Sequence, residues 1–155
     1  MSARRSRPRP ARASTRAEPS SRTSFPRLDA PTPDATISIP SGKWTLLAFV
    51  ASWNGPAKHS IRELQKISEA HATHGLTVIA IDLDEERSGV LDFIRSSGGS
   101  FPVVFDEGKR ISARLQPISM PTFILLDSNG IVRHIAGGYH GTLEADFGKA
   151  FRALL

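Results

Sequence analysis

The residues most able to do chemistry in this sequence are its five histidines and a short cluster of acids. His71 and His74 lie three residues apart, so they can share one face of a helix. A zinc site needs three or four ligands, and the spacing supplies no third one. Histidine is also favourable near the carboxyl end of a helix, where it complements the helix dipole. We therefore predict no metal site at this pair.

Four acids cluster between a predicted strand and the helix that should follow it, and they are Asp82, Asp84, Glu85 and Glu86. Carboxylates at the end of a strand could bind a hard cation such as Ca²⁺ or Mg²⁺. Acids are also the ordinary residues of the first turn of a helix, where they complement its positive end. We favour this second interpretation.

Two further candidates for chemistry fail on geometry. His59 could act as a general base only beside a nucleophile, and its neighbour Ser60 does not face it on a helix. Residues 97–100 (SGGS) have too few glycines for a phosphate-binding loop, and no helix follows them. The sequence therefore predicts neither a catalytic triad nor a nucleotide site.

The chain contains no cysteine, and this excludes several classes of function. Without cysteine there is no disulfide, no thiolate nucleophile and no sulfur ligand for zinc or an iron–sulfur cluster. We expect no cofactor. The longest apolar runs, such as residues 46–51, are much too short to cross a bilayer.

The basic excess of the chain lies entirely in its first 35 residues. The whole sequence has 20 Lys+Arg against 15 Asp+Glu. Residues 1–35 hold eight arginines, no lysine and three acids, which leaves 12 bases and 12 acids in residues 36–155. Nucleic-acid binding by residues 36–155 therefore has no electrostatic support.

Residues 1–35 are predicted to be a disordered basic tail, because they contain six prolines and almost no large apolar residue. An organellar transit peptide fits the arginines and serines, but the prolines oppose its amphipathic helix. Weak anion binding by the arginines stays open. No export signal is visible, so we expect a cytoplasmic location by default.

Residues 36–155 are predicted to form one domain with alternating strands and helices. Residues 44–52 (WTLLAFVAS) are a nearly continuous apolar run, as in a central strand that is buried on both faces. Asn129-Gly130 between two β-rich runs predicts a hairpin, and Thr142 is a candidate N-cap for the last helix. The predicted strands are residues 35–40, 44–52, 76–83, 101–105, 122–127 and 131–136. The predicted helices are residues 57–74, 85–97 and 109–115, with a last one from residue 143.

Two motifs on these elements resemble the thioredoxin fold, and in particular its TlpA/ResA-like branch. The first is FVASWNGPAKHSIREL, a buried strand that enters a helix through Trp53 and Gly55-Pro56. The second is ISMPTFILLD, which opens a strand with Met120-Pro121. The resemblance covers residues 36–155. It implies an α/β fold with a central mixed sheet, flanked by helices, and an extra strand–helix unit over residues 76–99.

The family keeps its chemistry in two cysteines, and this chain has Asn54 and Ala57 at those positions. Dithiol chemistry requires thiolate attack on a disulfide and a second thiol to resolve the mixed disulfide. Asn54 could cap the helix that follows it, but neither residue can attack sulfur. The buried carboxylate of thioredoxins is also absent, because its position is Ala48. No catalytic residue is therefore predicted.

The resemblance also implies a peptide-binding surface. The Met120–Pro121 bond would be cis, and the backbone of Met120 would pair with an extended segment. We predict that Trp53, Asn54, Gly55, Pro56, Met120 and Pro121 form this surface, with Gly137-Gly138 as a third wall.

Three hypotheses for function follow. The first is a redox-inactive protein that binds a protein or an extended peptide in a chaperone-like or assembly role. The second is a thiol–disulfide oxidoreductase or antioxidant family member whose cysteines are replaced in this chain. The third, a non-redox enzyme on the same fold, has no residues to support it. Family resemblance favours a periplasmic or organellar location, against the cytoplasmic default.

Overall fold

The computed structural model describes residues 29–31, 36–38, 43–86 and 89–155. The predicted tail lies mostly outside these residues, so its disorder stays a prediction. The predicted leading strand is β2, Thr36–Ser38. It pairs antiparallel with β1, Asp29–Pro31, which the sequence pattern did not predict.

The core of the fold is a mixed sheet of five strands in the order β5-β4-β3-β6-β7. The strands β3, β4 and β5 are parallel, and β6 runs antiparallel to both β3 and β7. This confirms the predicted parallel strands with a hairpin at one edge. The strands are β3 Trp44–Val50, β4 Leu76–Asp82, β5 Val103–Phe105, β6 Thr122–Leu126 and β7 Val132–Gly137.

Helices cover both faces of the sheet. They are α1 Ala57–His71, α2 Val90–Ser96, α3 Arg110–Leu115 and α4 Leu143–Leu154. In β3, Leu46, Ala48 and Val50 pack in one apolar cluster with α1, α2 and α4. Leu47 and Phe49 pack in a second cluster, which includes α3. Two covered faces explain why β3 is apolar at every position except Thr45 rather than at alternate ones. Within the described ranges, no helix is long and apolar enough to span a membrane.

Helix α1 follows the predicted helical spacing. Ile61, Leu64 and Ile67 are fully buried on its inner face. A short 3₁₀ turn continues it from Ala72 to His74, and Gly75 then adopts a left-handed φ of 75°. Glycine takes this conformation without the steric cost that a Cβ atom brings, so the chain can turn from the helix into β4.

Helix α2 begins later than predicted, which corrects the interpretation of the acidic cluster. Its first residue is Val90 rather than residue 85. Glu85 and Glu86 therefore lie in the loop between β4 and α2, and not in a first helical turn. The carboxylate of Asp84 accepts the backbone N–H of Ser52 at 3.1 and 3.0 Å. Asp84 therefore makes a tertiary hydrogen bond and takes no part in the start of α2.

Thr142 occupies the N-cap position of α4, as predicted, but its side chain does not cap the helix. Its hydroxyl makes no capping bond to the backbone and donates instead to Oδ2 of Asp146 at 2.7 Å. The backbone N–H of Glu144 is bound by Oε2 of Glu63, which reaches across from α1 at 2.7 Å. A side chain from another helix thus replaces the local cap that the sequence suggested.

The predicted hairpin between β6 and β7 is confirmed, and Asp127 organises it. Its Oδ1 accepts the backbone N–H groups of Asn129 and Ile131 at 2.8 and 3.0 Å. Its Oδ2 accepts Nε of Arg133 at 2.7 Å. Burial alone would raise the pKa of Asp127, but the bonds from Ile131, Arg133 and Asn129 outweigh it and hold the pKa below its ordinary value.

Residues 97–100 have a structural role in place of the phosphate loop that was considered. Gly98 has a φ of 93° and lies just past the end of α2. A Cβ atom on Gly99 would lie 2.9 Å from the Cγ2 atoms of both Ile61 and Ile94. Gly99 therefore lets the segment after α2 approach buried side chains of α1 and α2 closely.

We predict that Gly99→Ala destabilises the protein by about 1 to 3 kcal/mol, because two buried isoleucines must move to admit the methyl group. Thermal unfolding followed by circular dichroism measures the effect. Gly55→Ala is the matched control, since no atom lies within 4 Å of its Cβ position. An equal loss of stability in both variants would contradict the close approach.

Candidate functional site

The loop between β3 and α1 begins at a residue that is fixed from outside the loop. The Ser52 N–H is held by the carboxylate of Asp84. The next residue, Trp53, has 69% of its surface exposed. The backbone N–H of Asn54 then returns to the carbonyl of Ala51 at 3.1 Å. The turn therefore presents the indole to solvent on an anchored backbone.

Helix α1 starts without a side-chain cap, which corrects the role predicted for Asn54. The N-cap residue is Pro56, and it makes no side-chain capping bond. The backbone carbonyl of Asn54 accepts the N–H of Ala57 at 3.0 Å. Its side chain points elsewhere, because Nδ2 donates to the carbonyl of Met120 at 3.2 Å. Asn54 therefore connects two loops that are distant in sequence.

The second of these loops precedes β6, and its Met120–Pro121 peptide bond is cis, as expected. Thr122 braces the loop: its Oγ1 accepts the N–H of Ser119 at 3.1 Å and donates to the Ser119 carbonyl. The N–H of Gly138 donates to the Pro121 carbonyl at 2.9 Å. The predicted third wall is thus bonded directly to the proline.

Ile118 is a part of this surface that the sequence pattern did not reveal. It has 69% of its surface exposed, as much as Trp53. A Cβ atom on Gly137 would lie 2.6 Å from Oγ of Ser119 and 2.9 Å from Cδ1 of Ile118. Gly137 therefore leaves room for the Ile118 side chain. An isoleucine in a predicted loop, three residues before a proline, was the available signal.

Glu63 of α1 fixes the position of Tyr139, the residue that follows Gly138. The Tyr139 hydroxyl donates to Oε1 of Glu63 at 2.6 Å, and this bond raises the pKa of Tyr139 to about 12, with burial adding to it. The His59 ring stacks on Tyr139 with ring centroids 6.3 Å apart. His59 therefore faces Tyr139, whereas the Ser60 hydroxyl is buried and donates to the Ala57 carbonyl. They do not form a catalytic pair.

Asp82 is a buried carboxyl at the end of β4, close to the anchored loop. Only 1% of its surface is exposed, and Oδ2 has no hydrogen-bond partner in the described residues. Its Oδ1 accepts the N–H of Asp84 at 3.2 Å. Burial raises the pKa of Asp82 to about 7. Ala48, at the position where thioredoxins bury a carboxylate, is also fully buried and pairs with Ala80.

The histidine pair lies outside this site. The rings of His71 and His74 have centroids 5.9 Å apart, and His71 packs edge-on against Phe147 and Phe151. Burial, with the charges of His74 and Arg152, lowers the pKa of His71. In the part of the chain that the structure describes, no three His, Asp or Glu side chains converge as metal ligands would.

Comparison with known proteins places this geometry in a family. The sequence profile of the AhpC/TSA family matches residues 24–135, which is more than half of the chain. The chain belongs to the AhpC/TSA family.

Curated relatives of this AhpC/TSA chain are named as thiol–disulfide oxidoreductases. It is 31% identical over 98 residues to sporulation thiol-disulfide oxidoreductase A of Bacillus subtilis. It is 30% identical over 97 residues to thiol-disulfide oxidoreductase ResA of Bacillus anthracis. The matches cover 61% and 62% of this chain and 59% and 56% of those proteins. The aligned region thus spans less than two thirds of the relatives.

Solved structures confirm the thioredoxin fold of this family member. A putative thiol:disulfide interchange protein DsbE from Chlorobium tepidum has a TM-score of 0.77 and 24% identity, covering 83% of this chain and 92% of that one. StoA from Bacillus subtilis has a TM-score of 0.67 and 24% identity, covering 81% and 96%. At this identity the likeness shows the fold alone.

We predict that Asp82→Asn stabilises the protein at pH 8 by an amount on the order of 2 kcal/mol and not at pH 4. The folded-state pKa of about 7 lies above the ordinary 3.8. The folded protein therefore holds the proton more tightly, and the free energy of unfolding falls as pH rises through this window. Asparagine avoids the buried charge. Melting temperatures at both pH values measure the effect.

The control for this prediction is Asp92→Asn, the same change at an exposed position in α2. It should alter the melting temperature little at either pH, because its carboxylate stays in water. A gain for Asp82→Asn at pH 4 as large as at pH 8 would contradict the buried-proton explanation.

Proposed function

We propose that this chain binds an extended segment of a protein on the surface formed by Trp53, Ile118 and Met120, and that it does not exchange disulfides. The observation that carries the proposal is the exposure of two large apolar side chains, Trp53 and Ile118, on loops that the Asn54–Met120 bond joins. Exposed apolar surface of this kind marks contact sites. Tryptophan is also the residue most enriched among those that dominate binding energy.

The backbone beside these side chains supports recognition of a peptide. Among the described residues, the N–H of Met120 has no hydrogen-bond partner, and its carbonyl accepts only Nδ2 of Asn54. An extended segment offers both donors and acceptors along its backbone. It could therefore pair with Met120 while its side chains cover Trp53 and Ile118. Gly55 and Pro56 are exposed beside Trp53 and would extend the surface.

The second half of the proposal rests on the two positions where the family keeps its thiols. Asn54 and Ala57 are joined by the backbone bond that opens α1, so the local turn is present. The chain has no cysteine to act as nucleophile or resolving thiol. The curated relatives are thiol–disulfide oxidoreductases by name. We infer that a binding role is retained here without the dithiol reaction.

We expect a cysteine-free random peptide library, panned on the full chain, to yield peptides that bind this surface. Trp53→Ala should weaken the selected peptides by about tenfold or more, because the indole supplies the largest exposed apolar contact. Ile118→Ala should weaken them as well, by less. Isothermal titration calorimetry measures each affinity.

Leu155→Ala is the matched control for these two variants. Leu155 is also a large apolar side chain that is mostly exposed, at 59%, but it follows α4 and lies outside the proposed surface. Its replacement should leave the affinity unchanged. Failure to enrich any peptide, or equal affinities for wild type and the Trp53→Ala/Ile118→Ala double variant, would overturn the proposal.

The absence of dithiol exchange has its own test. Wild type should not accelerate reduction of insulin by dithiothreitol. The Asn54→Cys/Ala57→Cys double variant should do so, because the turn and the start of α1 already place the two positions together. The Ala57→Cys single variant is the control, since it lacks the attacking thiol. Activity in wild type would contradict redox inactivity, and an inactive double variant would contradict a loss confined to these two side chains.

A further inference from the structure

The carboxamide of Asn54 is only half satisfied in the structure. Its Nδ2 donates to the Met120 carbonyl at 3.2 Å, near the long end of the usual range for such bonds. Its Oδ1 is buried and has no hydrogen-bond partner among the described residues. A buried acceptor without a donor costs free energy, and such groups in native proteins call for an explanation.

This arrangement makes the bond between Asn54 and Met120 easy to displace. Breaking it loses one modest hydrogen bond, and rotation of the carboxamide can bring the unpartnered Oδ1 to solvent. The second change offsets the first, because it removes the cost of the buried acceptor. A side chain that served only to join two loops would stabilise the protein more if all its polar atoms had hydrogen-bond partners. The geometry therefore suits a bond that breaks when another donor binds the Met120 carbonyl.

The Met120 carbonyl lies where a bound segment would need it. The N–H of Met120 itself has no partner among the described residues, and Met120 lies on the same loop as exposed Ile118. Asn54 adjoins exposed Trp53, so its Nδ2 reaches this carbonyl from the other side of the surface. In the free protein the side-chain Nδ2 of Asn54 therefore uses the acceptor that a backbone N–H of a bound segment would need.

We propose that Asn54 determines specificity by occupying the Met120 carbonyl in the free protein and yielding it only to a segment with a backbone N–H at that position. A segment with proline there has no N–H, cannot replace the bond and is rejected. This inference rests on the proposed function, because it assumes a peptide on the same surface. It assigns Asn54 a different role from Trp53, which supplies apolar contact.

The test uses the peptide selected on the full chain and a series of its copies, each methylated at one backbone nitrogen. Asn54→Ala removes the competing donor, so it should bind the parent peptide about three to ten times more tightly than wild type. Asn54→Asp should also bind more tightly, because its carboxylate repels the carbonyl instead of holding it. One methylated copy should bind wild type and Asn54→Ala equally weakly.

A second readout does not depend on affinity. The chain has two asparagines, Asn54 and Asn129, so the side-chain amide signals of Asn54 can be assigned in a ¹⁵N spectrum by their loss in Asn54→Ala. They should move when wild type is saturated with the parent peptide and stay in place with the methylated copy that binds weakly. Melting temperatures of both variants check that the fold is intact, and Asn54→Asp serves if Asn54→Ala does not fold.

The outcomes separate this inference from the one it rests on. If Trp53→Ala weakens binding but both Asn54 variants bind the peptide as tightly as wild type or less tightly, Asn54 is a structural tie and the inference is wrong. If the Trp53→Ala/Ile118→Ala double variant binds as well as wild type, the proposed surface is wrong and this inference fails with it.

Discussion

Burial of β3 on both faces is the constraint on which the rest of the molecule depends. Its side chains enter two separate apolar clusters, so helices must cover the sheet from both sides. That requirement places α1 directly after β3 and leaves a short loop between them at the end of the sheet. The exposed Trp53 sits in this loop because the strand before it and the helix after it are both fixed by packing.

The candidate site is formed where this loop meets the loop before β6, and its chemistry follows from two replaced side chains. Asn54 turns toward the Met120 carbonyl, and Ala57 is buried at the start of α1. A sulfur nucleophile is absent at both positions. Exposed apolar side chains remain, with a Met120 N–H that has no partner in the described part of the chain, and the proposed binding role rests on these groups.

The sequence predicted elements well where one local pattern decided them. Apolar spacing located α1, and Asn129-Gly130 located the hairpin. The sequence was a poorer guide where a tertiary hydrogen bond replaced a local one. Asp84 binds the N–H of Ser52, and α2 begins only at Val90. Thr142 is the N-cap of α4, but the side chain of Glu63 binds the backbone there in its place. The cis bond at Met120–Pro121 followed from resemblance. No local sequence pattern of this kind indicated that Ile118 is exposed or that the Asp82 carboxyl is buried.

The covalent sequence alone established the fold class, the absence of a thiol and the two positions, 54 and 57, where this absence matters. The absence of a thiol is a property of composition, whereas the fold class and the two positions followed from the resemblance of two short motifs to the thioredoxin fold. Only the tertiary structure decided which groups of the site have no partner among the described residues: Oδ1 of Asn54, the N–H of Met120 and Oδ2 of Asp82. Hydrogen bonding and desolvation depend on neighbours that are far away in the chain. The type of a residue does not reveal which of these neighbours will surround it in the folded protein.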